Sequence, residues 1–159
     1  MDEIIRIKSH HFIDILTAYG AGRRTWQPMP EYGHAQHIVA ARLMQDRNGT
    51  LEMCSGADDI CAPCVHNIDG CCDDMIDTSF RPEAPSSKRL WNLLIDNRWY
   101  ERLHLADGDR LTARQFAKRV EEGLHCGLDA IYREIPAARN TERLRKLEAG
   151  VARYLGKSS

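Results

Sequence analysis

The chain has 159 residues, 43% of them apolar, which is enough for one domain with its own hydrophobic core and no need of disulfides to fold. Acidic and basic residues nearly cancel, 23 against 22, so no overall field draws the protein to nucleic acid or to an anionic membrane. The start MDEIIRIKSHH is charged and lacks a signal-peptide run, and no later segment approaches the roughly 18 apolar residues of a membrane span, so a cytoplasmic location is expected.

Residues 4–8, IIRIK, alternate apolar and basic side chains and predict a short strand leading into a first helix. Ser9 is placed to cap that helix, HHFIDILTAYG, in which Phe12, Ile15, Leu16 and Tyr19 form an apolar stripe and Gly20 supplies the stop. After a loop with Gly22, Pro28 and Pro30, a second helix is expected over 33–46 with Ile38, Val39, Leu43 and Met44 inward. A turn at 48–50 and a short strand at LEMC follow. From 54 to 85, Gly, Pro, Asp and Ser replace any helical or strand periodicity, a long stretch for a compact domain.

Helices resume with SSKRLWNLLIDNRWYERL, which sets Leu90 with Leu94, and Trp91 with Ile95 and Trp99, at i, i+4 spacing. TARQFAKRVEEGL opens on a capping-box pattern, Thr112 with Gln115, and buries Ala113, Phe116, Ala117, Val120 and Leu124. A short helix is expected over 128–135, ending before Pro136, and a last one over TERLRKLEAGVARYL with Leu144, Leu147, Val151 and Leu155 on one face. The fold class expected is mainly α: a compact single domain over 1–159, with an irregular cysteine-rich metal-binding loop, a helical second half over 86–155 and at most short strands.

The stretch CSGADDICAPCVHNIDGCC, 54–72, packs in five of the six cysteines. In a reducing cytosol such a cluster points to metal or chemistry before structural disulfides. Cys61 and Cys64 have the C-x-x-C spacing that turns two sulfurs toward one centre, and Cys54 before them with Cys71 or Cys72 after completes four. Unmetallated thiolates at one point would repel, so a cation stabilises the set and can order the loop. A thioredoxin-like pair would need a strand before CAPC and a helix after it, and neither is read there. Only one short pair is present, whereas a structural zinc site usually shows two, so the uneven spacing favours an iron–sulfur cluster over zinc.

GADDICAPC, together with RIKSHHFIDILTAYGAG, resembles a family of small bacterial and archaeal proteins catalogued as domain of unknown function 1284 and proposed to bind iron and sulfur. The matching residues are Arg6, His10, His11, Tyr19, Gly20, Gly22, Gly56, Asp58, Asp59, Ile60 and Cys61, with Cys64 and Cys72 at cysteines found in many members. The resemblance covers residues 4–75 and implies the cofactor but no reaction. It departs at Asp14, where many members have a cysteine, at Ser9, which replaces the usual proline, and at Cys54 and Cys71, where no cysteine is expected. Cys54 is then a candidate for the ligand that Asp14 no longer offers as sulfur, and Asp14 could instead ligate through oxygen.

Other residues have bland readings beside functional ones. His10 and His11 either donate hydrogen bonds to cluster sulfurs or merely cap and pack, and His66 is a spare ligand. His34 and His37, three apart on a predicted helix, share a face, most simply a surface accident. Asp58 and Asp59 are expected to accept backbone N–H bonds that shape the turn before Cys61. Cys126 reads as a buried helix-end residue, and Arg139, Arg143, Arg145, Lys146 and Arg153 as a solvated basic face.

The leading expectation is an iron–sulfur protein with Cys54, Cys61, Cys64 and Cys72 as ligands, acting in electron transfer or redox sensing with an unknown redox or protein partner. The alternative is a zinc-stabilised helical module for protein interaction. A third class is a metal-dependent enzyme in which Asp14, His10 or His11 completes an open site.

Overall fold

The computed structural model describes residues 3–157. Five α-helices dominate it, with strand confined to short pieces: β1 Ile5–Ile7, α1 Ser9–Gly20, α2 Gln36–Gln45, β2 Thr50–Met53, β3 Asn67–Ile68, β4 Cys71–Cys72, α3 Lys88–Leu103, β5 Arg110–Thr112, α4 Ala113–Gly123 and α5 Ala137–Tyr154. The mainly helical expectation holds, and among the described residues no helix is long and apolar enough to cross a membrane.

Strands β1, β2 and β5 form one small sheet with β2 in the middle, parallel to β1 and antiparallel to β5. The alternation in IRI buries Ile5 and Ile7 and leaves Arg6 outside, as a one-sided sheet requires. The crossover from β1 to β2 runs through α1 and α2, so the carboxyl ends of both strands emerge side by side. Residues 8–11 follow one of them and the cysteine stretch follows the other. That end of a parallel pair is where α/β proteins commonly place their ligands.

The helices pack behind the sheet around Phe12, which stacks on Phe116 at 4.9 Å and meets Tyr154 edge-on at 5.6 Å. Helices α1 and α5 approach at two glycines. A Cβ on Gly20 would lie 1.8 Å from the Lys146 carbonyl oxygen, and one on Gly150 1.8 Å from that of Leu16. The buried stripe of α3 is Trp91, Ile95, Trp99 and Leu103, with Ser87 accepting from the Leu90 N–H at its start. The α4 capping box forms as the sequence predicts, and all five core positions foreseen around it are buried.

Several expectations fail for local reasons. Ser9 lies inside α1 and is not its cap; its hydroxyl donates to Asp96 Oδ1, 3.1 Å away. Helix α2 starts three residues late because Gly33 sits at φ +66°, outside helical space, and Ile38 is 53% exposed. Leu90 also faces solvent. Residues 128–135 are turns, not a helix. The carbonyls of Tyr132 and Ile135 accept from Asn140 Nδ2, which takes the place of helical donors. Cys126 ends a 3-10 turn and is exposed, not buried. Strand β5 was not foreseen, since only Leu111 marks it as apolar.

The cysteine stretch also contains an unforeseen hairpin. Asp69 and Gly70, both at positive φ, form its two-residue loop and pair Asn67 with Cys72 and Ile68 with Cys71. Asp-Gly is the dipeptide that such a turn favours, so the signal was present in NIDGCC.

The glycine contact generates a stability prediction. Gly150→Ala should destabilise the protein by about 3 kcal/mol in urea denaturation, because the new methyl meets backbone, which cannot move aside as a side chain can. Glu148→Ala, on the exposed face of the same helix, should stay within about 0.5 kcal/mol of the parent.

Candidate functional site

The segments that follow β1 and β2 are joined by the buried carboxylate of Asp58, and the start of α1 is joined to α3 by that of Asp96. Asp58, 2% exposed, accepts the Lys8 N–H at 2.9 Å, the Cys61 N–H at 3.0 Å and the His11 Nδ1–H at 2.6 Å. Burial opposes its ionisation, but the His11 contact and the two backbone donors outweigh burial and hold the carboxyl well below the usual carboxylate range. Asp59 completes the turn by accepting the Arg6 N–H at 2.9 Å, while its own N–H donates to the Arg6 carbonyl. The backbone-shaping role expected for both residues is what the structure contains, although Asp58 does so from deep inside.

Asp96, on α3, does the same for the start of α1. Its Oδ1 accepts from the His10 N–H at 2.8 Å and from the Ser9 hydroxyl, and both of its oxygens lie within 3.0 Å of His10 Nδ1. With a carboxylate on Nδ1, the proton resides there and Nε2 faces away. Burial disfavours the charged ring of His10, but Asp96 more than compensates and raises its pKa above the ordinary value.

Cys61, Cys64, Cys71 and Cys72 line one pocket of about 280 Å³ with Lys8, His66 and Arg89. The turn at 61–64 supplies one pair and the hairpin supplies the other. Cys54 does not line this pocket. It is 3% exposed directly after β2, its N–H donates to the Ile7 carbonyl and its carbonyl accepts from the Tyr100 hydroxyl at 2.6 Å. Burial, reinforced by Asp58, pushes its thiol up to about 12 and that of Cys61 up to about 11. The Lys8 ammonium faces Cys61, Asp58 and Asp96, whose negative charge outweighs burial and raises the lysine.

His11, Asp58 and Cys61 bring their ligand atoms within 4.8 Å of one another, the one such trio among the described residues. Both Asp58 oxygens are already occupied by hydrogen bonds, so the trio is accounted for without an ion. No three cysteine sulfurs approach that closely among the described residues.

Asp14 is remote from the cysteine pocket; it pairs with Arg143 at 3.3 Å and lines a second cavity beside His10 and His11. His34 lies before α2 and stacks on Tyr32, so it shares no helical face with His37. His66 lines the cysteine pocket with Nδ1 bonded to Asp73 at 2.8 Å. Sequence reasoning missed Lys8 and Asp96. Lys8 looked like a strand-edge charge, and nothing local marks an aspartate in the middle of α3 as a partner for α1.

The linkage of Asp58 has a defined sign. Because its folded-state pKa is depressed, its contribution is complete above the unfolded value of about 4 and is lost as pH falls through the folded value. Asp58→Ala should cost about 3 kcal/mol at neutral pH, since a half-buried imidazole and two backbone N–H groups lose their acceptor. Below pH 4 the gap between parent and variant should narrow, as read from urea midpoints collected across the acid range.

Comparisons with family models, with curated proteins and with solved structures returned no match to this chain.

Proposed function

We propose that the protein binds an iron–sulfur cluster in the cysteine-lined pocket and serves electron transfer or redox sensing. The observation that carries this reading is the convergence of Cys61 and Cys64, from a turn, with Cys71 and Cys72, from a hairpin, on one cavity. The donor set fits such a group: four soft thiols, with Lys8 and Arg89 in the same lining against one carboxylate, Asp96. The resemblance of residues 4–75 to a family proposed to bind iron and sulfur supports the same reading.

The uneven sequence spacing supports a cluster over zinc, since one C-x-x-C pair is present where a structural zinc site usually shows two. In this proposal Cys71 is the fourth ligand and Cys54 is a buried structural thiol. The cluster supplies one-electron chemistry; the chain supplies the thiolates, limits access of water and places a positive charge beside Cys61. That charge favours the reduced, more negative state. The exposed side chains of Val65 and Ile68, beside the pocket residues His66 and Asn67, offer apolar contact to a redox partner.

Protein purified without oxygen should contain iron and acid-labile sulfide in near-equal amounts and show visible absorption that bleaches on reduction. Cys64→Ser and Cys71→Ser should lose that absorption while Cys54→Ala keeps it. Stoichiometric zinc without sulfide would overturn the proposal. Loss of the chromophore in Cys54→Ala but not in Cys71→Ser would reassign the fourth ligand. Lys8→Met should lower the reduction potential with the cluster retained, measured by redox titration of the same absorption.

A further inference from the structure

The second cavity, about 310 Å³, is lined by a different set of residues from the cysteine pocket and shares only Asn92 with it. Both rings of the His10–His11 pair line it, their centroids 4.3 Å apart. Each ring is held through Nδ1 by its own carboxylate, Asp96 or Asp58, and neither Nε2 has a protein partner among the described residues. Neither Nε2 is sealed from solvent without a partner, unlike His37 Nδ1, so both remain available to a bound molecule.

Around these rings stand Arg81 and Lys88 from the segment entering α3, and Arg143 from α5. Asp14 is the single carboxylate in the lining, and Arg143 already uses it. Lys88 reaches Asp74 at 3.2 Å, outside the cavity, and the Arg81 Nε–H donates to the Asp77 carbonyl. Burial and the nearby guanidiniums of Arg143 and Arg139 lower the pKa of Arg81, against the opposing pull of Asp77. The deeper wall is apolar, with Ile60, Trp91 and Ile95.

Two ligand classes suit imidazoles with free Nε2 atoms, metal cations and oxyanions. Carboxylate-backed histidines are common around metals. Here, however, three cations share the cavity and repel a divalent ion. The same cations attract an oxyanion, to which guanidinium groups offer paired, charge-assisted hydrogen bonds.

We infer that this cavity is a binding site for a small oxyanion-bearing molecule, a carboxylate or a phosphate, held by Arg81, Lys88 and Arg143 with the Nε2 atoms of His10 and His11 facing it. The site uses none of the cysteines, so it stands or falls apart from the cluster.

Isothermal titration calorimetry of the full chain, as purified, with inorganic phosphate and with succinate at constant ionic strength tests the inference. Saturable binding of one or both is expected, and their relative affinity tells phosphate from carboxylate specificity. Arg81→Gln and Arg143→Gln should each weaken binding by about tenfold, as loss of one charge-assisted contact implies. Arg145→Gln removes the same charge from the exposed part of α5 and should leave the affinity unchanged. Absence of saturable binding to either anion would overturn the inference. So would equal weakening in Arg145→Gln, or tight uptake of Zn²⁺ or Mn²⁺ that requires His10 and His11 in place of anion binding.

Discussion

The buried carboxylate of Asp58 is the constraint on which the functional end of the molecule depends. Taking a carboxylate out of water costs several kcal/mol, recovered only when every donor is in place. Its donors come from the end of β1, the first turn of α1 and the turn at Cys61. The cysteine turn therefore cannot take its shape unless β1 and α1 are already docked, and the long irregular segment after β2 inherits its order from that contact.

Asp96 extends the same logic across the molecule. Helix α1 has no side-chain cap from its own neighbourhood, and the carboxylate that meets its first turn arrives from the middle of α3. A negative group there satisfies an orphan N–H and suits the positive end of the helix dipole. Lys8 and Asp96 line the cysteine pocket, His10 and His11 line the second cavity, and Asn92 lines both. The glycine contact between α1 and α5 sets how closely the helical half can approach.

Much of the helical framework was legible because its signals are local. The Thr112–Gln115 box, the Trp91–Ile95–Trp99 stripe and the alternation in IRI each lie within one or two turns, and each formed as read. The misses were also physical. Asn140 competes for the carbonyls of 128–135, Gly33 delays α2, and β5 exists because β2 offers an edge more than because RLT is a strong strand. At the site, the cysteine stretch announced itself by composition, and Asp58 by its place before Cys61. Cys54 looked equivalent to the other cysteines in spacing, but one residue beyond β2 it is buried, with its carbonyl accepting from Tyr100, and is not among the residues that line the pocket.

By itself the sequence determined the five long helices, the clustering of the cysteines and the turn chemistry around them, since these follow from spacing and side-chain type over a few residues. Only the tertiary structure decided which cysteines share a cavity, which carboxylates are buried and that the two histidines open onto a cationic recess. Those outcomes depend on groups 47 to 86 residues apart meeting where water is excluded, and burial of that kind has no signature in local sequence.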